Sequence, residues 1–145
     1  IRDLRMSRGL GDGYKRQMDL LTINALAAAH QAIVPVQAHY LAMEDMADTL
    51  EVIQTIRQGI NPKLAVGGIL LTMYQGRTNL CRGIQDEIQA DYGNAFTVFS
   101  SPIDFSIRVA EHPIGAASIF AYEPNNPAAK AYSAVAQEVL SYGQK

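Results

Sequence analysis

Apolar residues recur along this chain with two alternating periods. From residue 18 onward, Leu20, Ile23, Leu26 and Ala27 fall three or four apart, which predicts a helix ending near His30. An unbroken apolar run over 32–36 then suits a buried strand. Met43, Met46, Leu50, Ile53 and Ile56 return to helical spacing and predict a helix over 41–58, stopped by Gly59 and Asn61-Pro62. The segment 64–74, centred on Ile69, Leu70 and Leu71, is the strongest strand. Leu80, Ile84 and Ile88 mark another helix, closed by Tyr92-Gly93-Asn94, and 95–99 reads as a third strand. Residues 104–111 suit a short helix. A last helix begins at Pro127, with Asn126 as its cap and Tyr132, Val135, Ala136 and Val139 as its apolar face.

This alternation of helix and strand predicts an α/β fold, a parallel sheet of βαβ units with right-handed crossovers. Ligands in such sheets bind at the carboxyl ends of the strands. Three segments lie there: 35–40, 74–79 and 100–108. Three strands make a small sheet with an open edge, so the expectation is half of a larger domain, or a chain that pairs with another and self-associates when isolated.

Composition narrows the class. The chain has 145 residues, 48% hydrophobic and 18% charged, enough for one domain with a core. Its single cysteine, Cys81, excludes an internal disulfide framework or a CxxC metal site and fits a reducing compartment. No apolar run is long enough to span a bilayer, and no signal peptide is evident, so the expectation is a cytoplasmic protein with no membrane partner. The first residue is Ile1 rather than Met, which predicts that sequence precedes it. Net charge is −2, yet residues 1–17 hold five cations (Arg2, Arg5, Arg8, Lys15, Arg16) against Asp3 and Asp12, leaving the remainder at −5. This glycine-containing basic arm suits either a solvated tail or contact with nucleic acid.

Candidate chemistry is sparse. Gly9-Leu10-Gly11-Asp12-Gly13 is the one glycine-rich stretch, but no strand precedes it and no Lys-Ser or Lys-Thr follows in register. It is not the GxxxxGK[ST] loop that cradles phosphates, and on its own the chain is not expected to be a complete nucleotide hydrolase. His30, His39 and His112 lack partners at metal-ligand spacing, and His30 is placed to cap a helix end. No GxSxG elbow occurs. Cys81 and the Met43/Met46 stripe read as core, and Glu44, Asp45, Asp48 and Glu51 as a wet helix face. Arg77, just past the central strand, and Arg108, after the third, project from the ligand-binding edge. Both could meet phosphates as forked donors, although position alone favours an ordinary surface or capping role.

Several stretches are distinctive in order and spacing. Residues 20–29 read LLTINALAAA, 34–44 read VPVQAHYLAME, and 61–80 read NPKLAVGGILLTMYQGRTNL. Arg108-Val109-Ala110-Glu111 and Tyr122-Glu123-Pro124 follow. Together they resemble the ParA/Soj family of deviant-Walker partition ATPases, over roughly 19–142, the C-terminal half of a typical member. The resemblance implies a P-loop NTPase-like half with the phosphate-loop half missing: a non-matching basic arm at 1–17 and a ParA-like α/β region at 18–145. It implies ATP and Mg2+ as cofactors of the complete protein, dimerisation with itself or with a full-length ParA-like chain, nonspecific DNA binding and a ParB-like partner. It places Arg77, in the GRTN segment, and Arg108 as DNA contacts. It names no catalytic or metal residue here. The KGGxGKT loop and the strand ending in Asp-Cys-Pro-Pro-Ser have no counterpart, and Ile103-Asp104-Phe105-Ser106 replaces the family's adenine-side Ile-Pro-Arg-Asn. A non-catalytic module that pairs with a full-length relative is the alternative expectation.

Overall fold

The computed structural model describes residues 20–111 and 118–142. The basic arm, its glycine-rich stretch and His112 lie outside them. Helix α1 (Leu20–Ala28) leads into strand β1 (Gln31–Gln37), helix α2 (Tyr40–Gly59), strand β2 (Ala65–Thr72) and helix α3 (Asn79–Tyr92). Two short helices, α4 (Ile107–Glu111) and α5 (Ile119–Tyr122), precede helix α6 (Pro127–Tyr142). β1 and β2 pair in parallel from Gln31 opposite Ala65 to Gln37 opposite Thr72.

Each crossover helix starts at a side-chain cap. His39 accepts the Leu41 N–H into Nδ1 at 3.3 Å for α2, and Thr78 accepts the Cys81 N–H at 3.3 Å for α3. Asn126, buried, accepts the Ala128 N–H at 2.9 Å ahead of Pro127, as the sequence predicts. The end of α1 differs from expectation. His30 does not cap it; its carbonyl accepts the Ala65 N–H instead. The Asn61 amide reaches back and donates to Leu26 O at 3.0 Å and Ala29 O at 2.8 Å, satisfying carbonyls that the helix leaves open. The Asn-Pro that stops α2 therefore also pins α1.

Alternation along the strands divides the core between two faces. On one face Val34, Val36, Ile69 and Leu71 pack against Met46, Leu50, Ile53 and Ile56 of α2 and Cys81, Ile84 and Ile88 of α3. On the other, Phe99, Ile103 and Val135 form a smaller cluster with Leu70, Ala131 and Val139. Several expected inward residues point out. Leu20 and Leu80 are exposed, as are Tyr132 and Ala136 of α6. Cys81 takes the inner position one residue past Leu80. The run 32–36 is not buried on both faces: Val34 and Val36 are inside, while Ile33 and Pro35 are exposed.

The expected third strand is interrupted. Val98 bridges Ile69 and Asp104 bridges Tyr74, both in parallel, but no continuous strand joins them. The Phe99 N–H bonds to Ile69 O, and the next ladder donor to Leu71 O is Ile103 rather than residue 101. Residues 100–102 thus loop out. Pro102 has no N–H to give the ladder, and Ser100 gives its N–H and hydroxyl to the Glu138 carboxylate on α6 at 3.1 and 2.7 Å.

Candidate functional edge

The loop after β2 begins under strain. Met73 has φ 50°, a left-handed conformation that a side chain adopts at a cost of about 1 kcal/mol. This turns the chain so that Tyr74 pairs with the third segment: the Tyr74 N–H donates to Ile103 O at 3.0 Å and the Phe105 N–H to Tyr74 O at 2.9 Å. The two segments form one cleft of about 530 Å³, lined by Tyr74 to Thr78, Asp104, Phe105 and Pro127. Two of the three predicted edge segments therefore converge. The third, around 35–40, does not join them; Pro35, Gln37 and His39 line a separate groove beside β1.

Arg77 is exposed on the cleft's rim, two residues before α3 begins. Arg108 is exposed in α4, just beyond the Asp104 bridge. Both stand at the carboxyl side of the sheet, where the sequence places them. Arg82, one turn along α3, is turned to Asn79 Oδ1 at 2.7 Å.

Tyr74 anchors the cleft floor, and sequence reasoning passed over it. Its hydroxyl donates to Gln85 Oε1 at 2.7 Å. Burial pushes the phenol pKa up, and the nearby Cys81, Asp86 and Asp104 add to this against the opposing charge of Arg82. The direction of the shift fixes the direction of the pH effect. The stability contribution of Tyr74 is complete below its unfolded value, about 10, and is lost as pH climbs through the higher folded value. Tyr74→Phe should cost about 1 kcal/mol at neutral pH through the lost hydrogen bond. The same variant should lose less stability than the parent between about pH 9 and 11. Urea titrations across that range measure both effects, and parallel alkaline slopes would refute the assignment.

Parallel strands joined by crossover helices, with loops gathered at their carboxyl ends, define an open-sheet α/β protein, and its neighbours among solved structures are P-loop NTPase-like ATPases. The crystal structure of cobyrinic acid a,c-diamide synthase from Mycobacterium smegmatis, with bound ADP and magnesium, superposes with a TM-score of 0.68 at 28% identity. The match covers 88% of this chain and 44% of that one. A family model described as an AAA domain matches residues 16–66. The chromosome-partitioning ATPase Soj of Thermus thermophilus is 42% identical over 125 residues, 86% of this chain and 49% of that protein. The sporulation initiation inhibitor protein Soj of Bacillus subtilis is 31% identical over an alignment taking in 98% of this chain and 59% of its own length. The chain belongs to the ParA/Soj-type partition ATPase family. It spans about half the length of the curated relatives it matches.

The described residues do not fit a magnesium–triphosphate group. This sequence contains no GxxxxGK[ST] loop, and among the described residues no three His, Cys, Asp or Glu side chains cluster as a metal site. No hydrolytic step is assigned to them. No helix among the described residues is long and apolar enough to cross a membrane.

Proposed function

We propose that this chain supplies the DNA-contacting C-terminal part of a ParA/Soj-type ATPase acting in plasmid or chromosome partition. The observation that carries the reading is the exposed Arg77 in the Gly76-Arg77-Thr78-Asn79 turn at the carboxyl edge of the sheet, in a chain 42% identical to a chromosome-partitioning ATPase. Arg108 stands on the same side of the sheet and adds a second cation. Nonspecific DNA binding is phosphate neutralisation, which needs a few exposed cations and no base-reading groove. ATP with magnesium, a dimeric state, a ParB-like partner and a cytoplasmic setting belong to the complete protein in this reading. The M. smegmatis neighbour holds ADP and magnesium, which supports nucleotide binding by the complete fold.

A second reading is a non-catalytic module that pairs with a full-length relative and blunts its cycle. The first reading puts the arginines on DNA, so the first test addresses them. Replacing Arg77 and Arg108 together with Ala should weaken binding to random duplex and lower the slope of log affinity against log salt by about 2, near 0.9 for each phosphate left without its cation. Fluorescence anisotropy at several salt concentrations reads this slope. Unchanged affinity and slope would remove the DNA role from both residues.

A further inference from the structure

Phe105 stands half in water at the functional edge. It is 52% exposed, although it lines the cleft of about 530 Å³. Its backbone is held in place: the Phe105 N–H donates to Tyr74 O at 2.9 Å, and Ile103, two residues earlier, is buried in the smaller core cluster. The second aromatic of the cleft, Tyr74, is occupied. Its hydroxyl is bonded to Gln85, and the Gly76 turn lies against its ring, so that a Cβ on Gly76 would come 3.2 Å from Tyr74 Cε1. Phe105 is therefore the aromatic surface left open there.

A single exposed apolar residue is ordinary on a protein surface. This one is surrounded by charge of both signs. Arg77 lines the same cleft and is exposed at its rim. Arg108, also exposed, follows Phe105 by three residues in α4. Asp104 lines the cleft as well, so one carboxylate shares it with the rim cation. Opposite charges sort a ligand. A phosphate seated beside Asp104 is repelled, whereas one at the rim meets Arg77. The interior suits a neutral flat ring that lays its face on Phe105 and offers an N–H to Asp104.

Nucleic acid presents such a ring, with phosphates on either side, where a base is unpaired. In a duplex each base is stacked on both faces and its pairing edge is engaged, so neither Phe105 nor Asp104 can be used and the arginines act alone.

We propose that the Phe105 cleft holds one unpaired DNA base carrying an exocyclic amino group, stacked on the Phe105 ring and donating to Asp104, with Arg77 and Arg108 on the flanking phosphates. This rests on the DNA reading and deepens it. The arginines give affinity for any DNA, and the cleft gives a preference for single strands and, among them, for cytosine over thymine, which has no amino group.

Fluorescence anisotropy of labelled oligo-dC and oligo-dT, about eight nucleotides long, and of a mixed-sequence duplex of the same length tests it. Oligo-dC should bind about tenfold more tightly than oligo-dT. Phe105→Ala should weaken oligo-dC binding about tenfold and duplex binding less than about twofold. Phe105→Tyr keeps a ring to stack on and should match the parent. Phe105→Leu keeps apolar bulk without that face and should behave like the alanine variant, which separates lost stacking from lost packing. Asp104→Ala should erase the difference between oligo-dC and oligo-dT; a purely electrostatic role would instead tighten all three ligands alike. Equal losses on single strand and duplex in Phe105→Ala, parent-like binding by Phe105→Leu, or oligo-dC no tighter than oligo-dT would overturn the proposal. So would tighter binding of oligo-rC than of oligo-dC, which would make RNA the ligand, or displacement of oligo-dC by an equal concentration of AMP, which would make the cleft a mononucleotide site. Failure of the DNA reading shows elsewhere, as duplex binding that does not respond to the loss of Arg77 and Arg108.

Discussion

Gly68→Ala should destabilise the protein by about 3 kcal/mol, while Gly67→Ala, one residue earlier, should cost under about 1 kcal/mol. The parallel register jumps from Val66 to Gly68 between Ala32 and Ile33, leaving Gly67 as the extra residue of a bulge. Gly68 then takes φ +150°, a backbone conformation that side-chain-bearing residues rarely adopt. A Cβ there would sit 2.7 Å from Phe99 Cε2 and 3.0 Å from the Thr97 carbonyl oxygen. Neither can retreat. Phe99 is 1% exposed, and the Thr97 carbonyl accepts the Ile69 N–H that begins the third-segment pairing. A Cβ on Gly67 would also meet an atom at 2.7 Å, but that atom belongs to the side chain of Gln31, which is exposed and can swing away. Equilibrium unfolding in urea separates the two variants. Equal costs would mean that the bulge and the Phe99 contact do not set the register of β2.

Much of this architecture is visible in local pattern, and the failures have a common cause. The helix over 41–58, the strand around Ile69 and the Asn126-Pro127 start appear where periodicity and capping chemistry put them, because each is settled by neighbours in sequence. What escaped depends on distant partners. Ser100 and Pro102 sit in an apolar context that reads as strand, yet the ladder breaks there because Glu138 on α6 claims the Ser100 N–H and hydroxyl. Asn61 reads as a stop for α2, and its second role needs Leu26 and Ala29 to come within hydrogen-bond reach from more than thirty residues away. Leu20 and Leu80 satisfy helical spacing but face outward, since periodicity fixes a stripe only to within one position. At the functional edge, Arg77 and Arg108 stand where their place after a strand puts them. Tyr74 carries no such signal, because a tyrosine at the end of an apolar run looks like the run's last core residue.

The two core clusters are held together in different ways. The larger core cluster joins β1 and β2 to α2 and α3 and is built mostly from residues close to one another in sequence. The smaller cluster ties the third segment to α6, and the backbone of that segment meets β2 and Tyr74 through two isolated bridges and the hydrogen bonds around them, not through a continuous strand. Phe99→Ala should therefore act locally as well as strongly. Truncating a fully buried phenylalanine costs about 3–5 kcal/mol, a large share of the roughly 5–15 kcal/mol that holds a typical domain together. The ring touches the second cluster on one side and lies over Gly68 on the other. Its removal should free α6 and the third segment while β1, α2, β2 and α3 keep their packing. Native-state hydrogen exchange reads this directly: protection in α6 should collapse toward that of unfolded chain, and protection at Val36 and Ile53 should fall far less. A uniform loss across both clusters would instead make the two cores one cooperative unit, and would place Phe99 at the centre of it rather than at the junction of two.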